Sequence, residues 1–107
     1  MTTDRLTPED LGAPLGDRVT FVQFSSTFCA PCRAARLVLE RVEATDEGVV
    51  HVELDVADNL ALSERVGIAS TPTVLILDAD GVVLRRAQGV PTLAQARAAA
   101  RAEPGIS

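Results

Sequence analysis

Residues 19–45 read VTFVQFSSTFCAPCRAARLVLERVEAT, and this stretch decides the fold. Its first part, Val19 to Phe24, is almost wholly apolar or β-forming without strict alternation. That texture predicts a strand covered on both faces. From Pro31 to Thr45 the period changes: Ala35, Val38, Leu39 and Val42 form an apolar stripe, with Arg36, Glu40, Glu43 and Glu47 following the opposite face. This is helical spacing, and Pro31 suits a first helical turn. Cys29-Ala30-Pro31-Cys32 lies at the junction. A helix N-terminus carries unsatisfied N–H groups and about half a positive charge, which favours a thiolate. Cys29 is therefore expected to be the acidic, attacking sulfur. Cys32, one turn inward, is expected to close a small disulfide ring and resolve a mixed disulfide. Two other readings of the pair stay open on residues alone. One is half of a zinc or iron–sulfur site completed by a second copy of the chain; the other is two inert buried thiols.

Working outward, Gly48 breaks the helix and Val49 to Val56 reads as a second strand. Asn59 to Val66 has weak helical patterning and ends at Gly67. Thr73 to Leu77 reads as a buried strand, Asp78-Ala79-Asp80-Gly81 as a tight turn, and Val82 to Ala87 as the hairpin partner. Thr92 caps a last helix carrying Leu93, Ala96 and Ala100 and ending near Glu103-Pro104-Gly105. Upstream, Thr7-Pro8-Glu9-Asp10 opens one short helical turn that Gly12 and Pro14 end. A crossover between the first two strands makes them parallel, and the hairpin adds an antiparallel half. The expectation is an α/β fold: a central mixed sheet of about four strands with helices on both faces. Residues 1–107 form one domain, with 1–18 a short N-terminal segment and 19–102 the core.

Composition narrows the chemistry. The chain has 107 residues, 47% of them hydrophobic, which suffices for one packed core. Ten basic residues face fifteen acidic ones, for a net charge of −5. That balance argues against nucleic acid or an anionic membrane as the main partner. All ten basic residues are arginine, so lysine Schiff-base chemistry is excluded. The one histidine, His51, excludes a site made of several imidazoles within one chain. No leader-like apolar run opens the sequence and no stretch reaches the ~18 apolar residues of a transmembrane helix. The chain is read as complete, soluble, monomeric and cytoplasmic, where two close cysteines point to redox or metal chemistry rather than a structural staple.

From about Val19 to Ala102 the sequence resembles the thioredoxin family. Phe28-Cys29-Ala30-Pro31-Cys32-Arg33 resembles its Trp-Cys-Gly-Pro-Cys-Lys/Arg active site. Gly67 to Thr73 resembles the segment whose cis-proline faces that site, and Asp80-Gly81 and Gly89 match its hairpin turn and the glycine before its last helix. On residues alone, Thr71-Pro72 is better read as merely starting a strand. The resemblance implies a cis Thr71–Pro72 bond beside Cys29, where a substrate's main chain would pair. It also implies thioredoxin-fold architecture and a role in cell redox homeostasis and electron transport. The only redox group implied is the Cys29–Cys32 disulfide, with no separate cofactor.

The departures are specific. Phe28 stands where the family usually has tryptophan, keeping an apolar wall without the indole N–H. Ala30 replaces glycine. Gln23 and Glu53 stand where many members place a buried aspartate and its lysine partner. We expect Gln23 and Glu53 to be neighbours on adjacent strands. With no cationic partner, Glu53 is expected to have a raised pKa and to serve as a general base near neutrality; a solvent-facing Glu53 is the alternative. Arg33 and Arg36 read as a solvated helix face, the alternative being electrostatic support of the thiolate or contact with acidic partners; Arg85-Arg86 reads as a solvent-facing hairpin, and His51 as structural, near no recognised partner. The N-terminal segment is too short for the first strand and helix of a long thioredoxin.

The resulting expectation is a thiol–disulfide oxidoreductase that reduces protein disulfides, recharged by a thioredoxin reductase or a low-molecular-weight thiol. The alternatives are a thioredoxin-fold binding module with little turnover and a dimeric metal or iron–sulfur carrier.

Overall fold

A computed structural model describes residues 4–101. In chain order the elements are α1 (Pro8–Leu11), β1 (Val19–Ser25), α2 (Ala30–Thr45), β2 (Val49–Asp55), a 3-10 turn (Val56–Asp58), α3 (Leu60–Arg65), β3 (Thr73–Leu77), β4 (Val83–Gln88) and α4 (Leu93–Arg101). The four strands form one mixed sheet in the order β2-β1-β3-β4. β1 runs parallel to β2 and antiparallel to β3, and β3 is antiparallel to β4. The expected mixed sheet, and the parallel first pair, are thus present.

All seven residues of β1 are buried, because helices cover both faces of the sheet. Alternation along the strands assigns each side chain to a layer. Phe21, Val49, Val74 and Ile76 meet Leu39 and Val42 of α2 and Ala96 and Ala100 of α4. Val22, Phe24, Leu75 and Leu77 face the other way, toward Leu11, Leu62 and Val66. Along the α2-facing side, both parallel strands change character. β1 passes from Val19 and Phe21 to Gln23 and Ser25, and β2 from Val49 to His51, Glu53 and Asp55. The sheet is apolar beneath the body of α2 and polar beneath its N-terminus.

The core does not begin at Val19. Leu6 is fully buried and Leu11 nearly so, both in the α1/α3 layer. The segment is fastened to the hairpin turn: Leu6 N–H donates to Gly81 O at 2.9 Å and Val83 N–H to Asp4 O at 2.9 Å. Gly81 has φ +87, and a Cβ there would lie 2.1 Å from Leu6 O, so only glycine fits. Thr7 and Asp10 complete a reciprocal cap on α1, as the Thr-Pro-Glu-Asp run predicts.

Several boundaries differ slightly from expectation. α2 starts at Ala30, with Cys29 as its cap. β2 stops at Asp55, whose carboxylate accepts from Ala57 N–H at 2.8 Å and turns the chain. β4 starts at Val83 because Val82 bridges to Arg5 instead. Thr92 and Gln95 cap α4 reciprocally. The predicted end of that helix at Glu103-Pro104-Gly105 lies outside the described residues. Among the described residues, no helix is long and apolar enough to cross a membrane.

Candidate active site

The chain leaves β1 through Ser26, Thr27 and Phe28 and enters α2 at Cys29. Phe28 has φ +57, a left-handed conformation rare for a bulky residue, and its side chain is fully exposed. That turn places Cys29 at the N-cap of α2. Cys29 and Cys32 are disulfide-bonded with their Cα atoms 5.2 Å apart. The pair is asymmetric: Cys29 is half-buried, whereas Cys32 is 1% exposed. Cys32 N–H donates to Cys29 Sγ at 3.1 Å. The same donor, with the helix N-terminus behind it, would face a Cys29 thiolate and stabilise it. Ala30 and Pro31, between the two, are exposed.

On the β3 side of the pair, the Thr71–Pro72 peptide bond is cis. Ser26 Oγ and Thr71 Oγ1 share a hydrogen bond of 2.8 Å, tying this loop to the one that carries Cys29. Pro72 is buried, Thr71 half-buried, and Gly89 N–H donates to Pro72 O at 3.0 Å. On the β2 side, a cavity of about 390 Å³ is bounded by Ser25, Ser26, Cys29, Arg33, Arg36 and Glu53. Among the described residues, no group of three or more His, Cys, Asp or Glu is gathered for a metal ion.

Beneath the cysteines lies a hydrogen-bonded polar cluster. Gln23 is fully buried, and its Nε2 donates to Cys32 O at 2.8 Å and to Ser25 Oγ at 3.0 Å. Ser25 Oγ donates in turn to Glu53 Oε2 at 2.7 Å. Gln23 and Glu53 are register partners on β1 and β2. Glu53, however, has a cationic partner. Arg36 Nε meets Glu53 Oε1 at 2.5 Å and Arg36 Nη2 meets Oε2 at 3.0 Å. Arg36 lies one helical turn past Cys32 and bends back over β2, rather than extending from a solvated face. Burial pushes the Glu53 pKa up and is the largest single influence. Hydrogen bonds from Arg36 and Ser25, with the charges of Arg36 and His51, together outweigh it and hold the carboxyl below its ordinary range. The expected raised pKa is therefore corrected: Glu53 is ionised at neutral pH and is not a poised base.

His51, read as near no recognised partner, has two. Its Nε2 lies 3.0 Å from Gln23 Oε1, and its backbone N–H donates to Glu43 Oε2 at 2.8 Å. Burial lowers the imidazole pKa, against the raising influence of Glu53, Glu43 and Glu40. Arg86, too, is engaged, donating to the carbonyls of Val66 and Gly67 at the end of α3. Ser25 and His51 are site residues that sequence reasoning missed, and Arg36 is one that it read chiefly as a solvated face. A signal existed: residues two apart on parallel strands share a face, so Gln23 with Ser25 and His51 with Glu53 form one polar patch, and Arg36 follows Cys32 by four residues.

Comparison with known proteins agrees with this architecture. The thioredoxin family model matches residues 7–101. The thioredoxin of Chlamydia caviae is 30% identical over 82 residues, covering 77% of this chain and 79% of the relative. That of Staphylococcus aureus is 30% identical over 77 residues, covering 71% and 74%. Among solved structures, chloroplastic thioredoxin z superposes with a TM-score of 0.73 at 27% identity, covering 94% of this chain and 92% of that one. The thioredoxin of Malassezia sympodialis shares the fold, with a TM-score of 0.67 at 20% identity and the same coverage. With its cysteine pair closed across the first turn of α2 and the family model spanning both sheet faces, this chain belongs to the thioredoxin family.

Proposed function

We propose that this protein reduces disulfide bonds of protein substrates by dithiol–disulfide exchange. The observation that carries the reading is the asymmetry of the pair: Cys29 is reachable and receives an N–H, while Cys32 is buried beneath it. A Cys29 thiolate attacks one sulfur of a target disulfide and expels the other as a thiolate. Cys32 then attacks Cys29 Sγ, giving up its proton. The target leaves as a dithiol and the Cys29–Cys32 disulfide forms, so two electrons pass from chain to target. Phe28, next to Cys29, and the cis Thr71–Pro72 segment, tied through Thr71 to Ser26 of the same loop, would line the path of an extended substrate chain. Ala-Pro between the cysteines is one step from the Gly-Pro of reducing members, which supports the reducing direction. A thioredoxin reductase or a small thiol regenerates the dithiol, and the cytoplasm supplies the reducing setting that this direction needs.

The test is a trap. Cys32→Ser is expected to accumulate mixed disulfides through Cys29 when incubated with lysate, and Cys29→Ser to accumulate none. An empty trap, with no disulfide reduction by the wild type, would replace this reading with a thioredoxin-fold binding module. Bound zinc or iron in a dimer would replace it with a metal carrier.

A further inference from the structure

The polar cluster has a direction. Gln23 Nε2 faces Cys32 O and Glu53 Oε2, at 2.8 and 3.4 Å, and both groups only accept hydrogen bonds. The amide can therefore be oriented in one way, with Oε1 toward His51. Oε1 can only accept, so His51 Nε2 carries a proton and donates it. Donation then runs from His51 to Gln23, and from Gln23 both to the Cys32 carbonyl and to Ser25, which donates on to Glu53. Gln23 is fully buried, so no solvent molecule substitutes at Oε1 without opening the cluster.

We propose that His51 is a positioning residue for Cys32, acting through the buried Gln23 amide to hold the first turn of α2 in place when the Cys29–Cys32 bond opens. This rests on the exchange reading above. In the oxidised protein, the disulfide itself fixes Cys32 against Cys29. Once a mixed disulfide forms on Cys29, that restraint is gone, and Gln23 remains as the sheet's side-chain hold on Cys32. Resolution is an intramolecular attack, whose rate depends steeply on how well the two sulfurs stay aligned. Losing the His51 donor leaves Gln23 Oε1 buried without a partner, and the amide gains by moving away from Cys32 toward a hydrated position. The attacking step at Cys29 needs no alignment of the Cys32 sulfur, and its donor, Cys32 N–H, is a backbone group that the helix start carries through its own bonds, such as Arg33 N–H to Cys29 O at 3.2 Å.

The two steps separate with a chromogenic aromatic disulfide and the reduced full-length protein. Attack by Cys29 releases one coloured thiolate and leaves an aryl mixed disulfide. Attack by Cys32 on that bond releases the second thiolate and a proton and restores the Cys29–Cys32 disulfide. His51→Leu is expected to slow the second phase by about tenfold while the first stays within about twofold. His51→Gln, which keeps an N–H donor at the same reach, is expected to restore the second phase to within about threefold. A folded His51→Leu protein with a wild-type second phase overturns the role. If that variant does not fold, the imidazole nitrogen spectrum of the wild type decides: the proton of neutral His51 belongs on Nε2, and a proton on Nδ1 overturns the assignment. Absence of the first phase in the wild type would instead overturn the exchange reading, and this role with it.

Discussion

Arg36 and Glu53 clasp each other through two contacts, Nε to Oε1 at 2.5 Å and Nη2 to Oε2 at 3.0 Å, directly beneath the turn that carries Cys32. A paired charge thus stands one position outward from fully buried Gln23. The innermost place is neutral and hydrogen-bonded, and the charge sits where water still reaches it. This avoids much of the cost of burying an ion pair. It also assigns Glu53 an electrostatic role in place of a titrating one.

The first prediction follows from the depressed Glu53 pKa. A carboxyl whose folded pKa is lowered stabilises the fold above its unfolded pKa, and the contribution fades as pH falls through the folded value. Glu53→Gln is expected to cost about 1 kcal/mol at pH 7, the scale of a well-formed, partly exposed pair. The difference from wild type should shrink below pH ~4.5 and vanish in stronger acid. Urea unfolding of both proteins across pH 3–7 checks this; a gap that stays constant with pH would contradict it.

His51 supplies the second. Burial lowers the imidazole pKa from its ordinary 6.5. In the window below 6.5, the unfolded chain binds more protons than the folded one, so stability rises with pH there. Lowering the pH from 7.5 to 5.5 should therefore destabilise wild type. His51→Gln, which does not titrate, should lose that slope while keeping its stability at pH 7.5 within about 1 kcal/mol. Midpoints of denaturant unfolding measured at several pH values would show it.

The third concerns the start of the chain. Leu6 is fully buried among α1, α3 and the hairpin turn. Leu6→Ala is expected to cost about 2–4 kcal/mol, as removing a buried leucine side chain does. A segment outside the core would lose far less. Guanidinium unfolding with an unchanged denaturant slope would assign the loss to the folded state.

What the sequence made legible were patterns carried by neighbours in the chain. The two-sided burial of β1, the stripe on α2, the caps at Thr7 and Thr92 and the position of Cys29 all follow from local spacing. Leu6 failed because its partners, Gly81 and the α3 layer, are far away in sequence, and one buried leucine in an acidic segment carries no period. The Arg36–Glu53 pair failed for a related reason. Arg36 sits on the polar side of an amphipathic helix, where solvent is the default, and only the β1–β2 register places Glu53 within its reach. The partner of His51 was not legible because it is Gln23 on the neighbouring strand, two positions out of direct register.

Phe28 yields the last prediction, in which stability and activity move apart. It is held at φ +57 with its ring fully exposed, so it contributes strain without burial. A left-handed residue other than glycine costs about 1–2 kcal/mol. Phe28→Gly relieves that strain but adds about 0.5–1 kcal/mol of chain entropy to lose on folding. The variant should therefore be at least as stable as wild type, whereas Phe28→Ala, which keeps the conformation, should lie within about 0.5 kcal/mol of it. Both remove the apolar wall beside Cys29. Both should lower kcat/KM for a protein disulfide by about three- to tenfold, the worth of a lost apolar contact at a binding site. An exposed aromatic retained only by chance would predict unchanged kcat/KM in both variants, and steady-state kinetics on a folded disulfide-bonded substrate would reveal which holds.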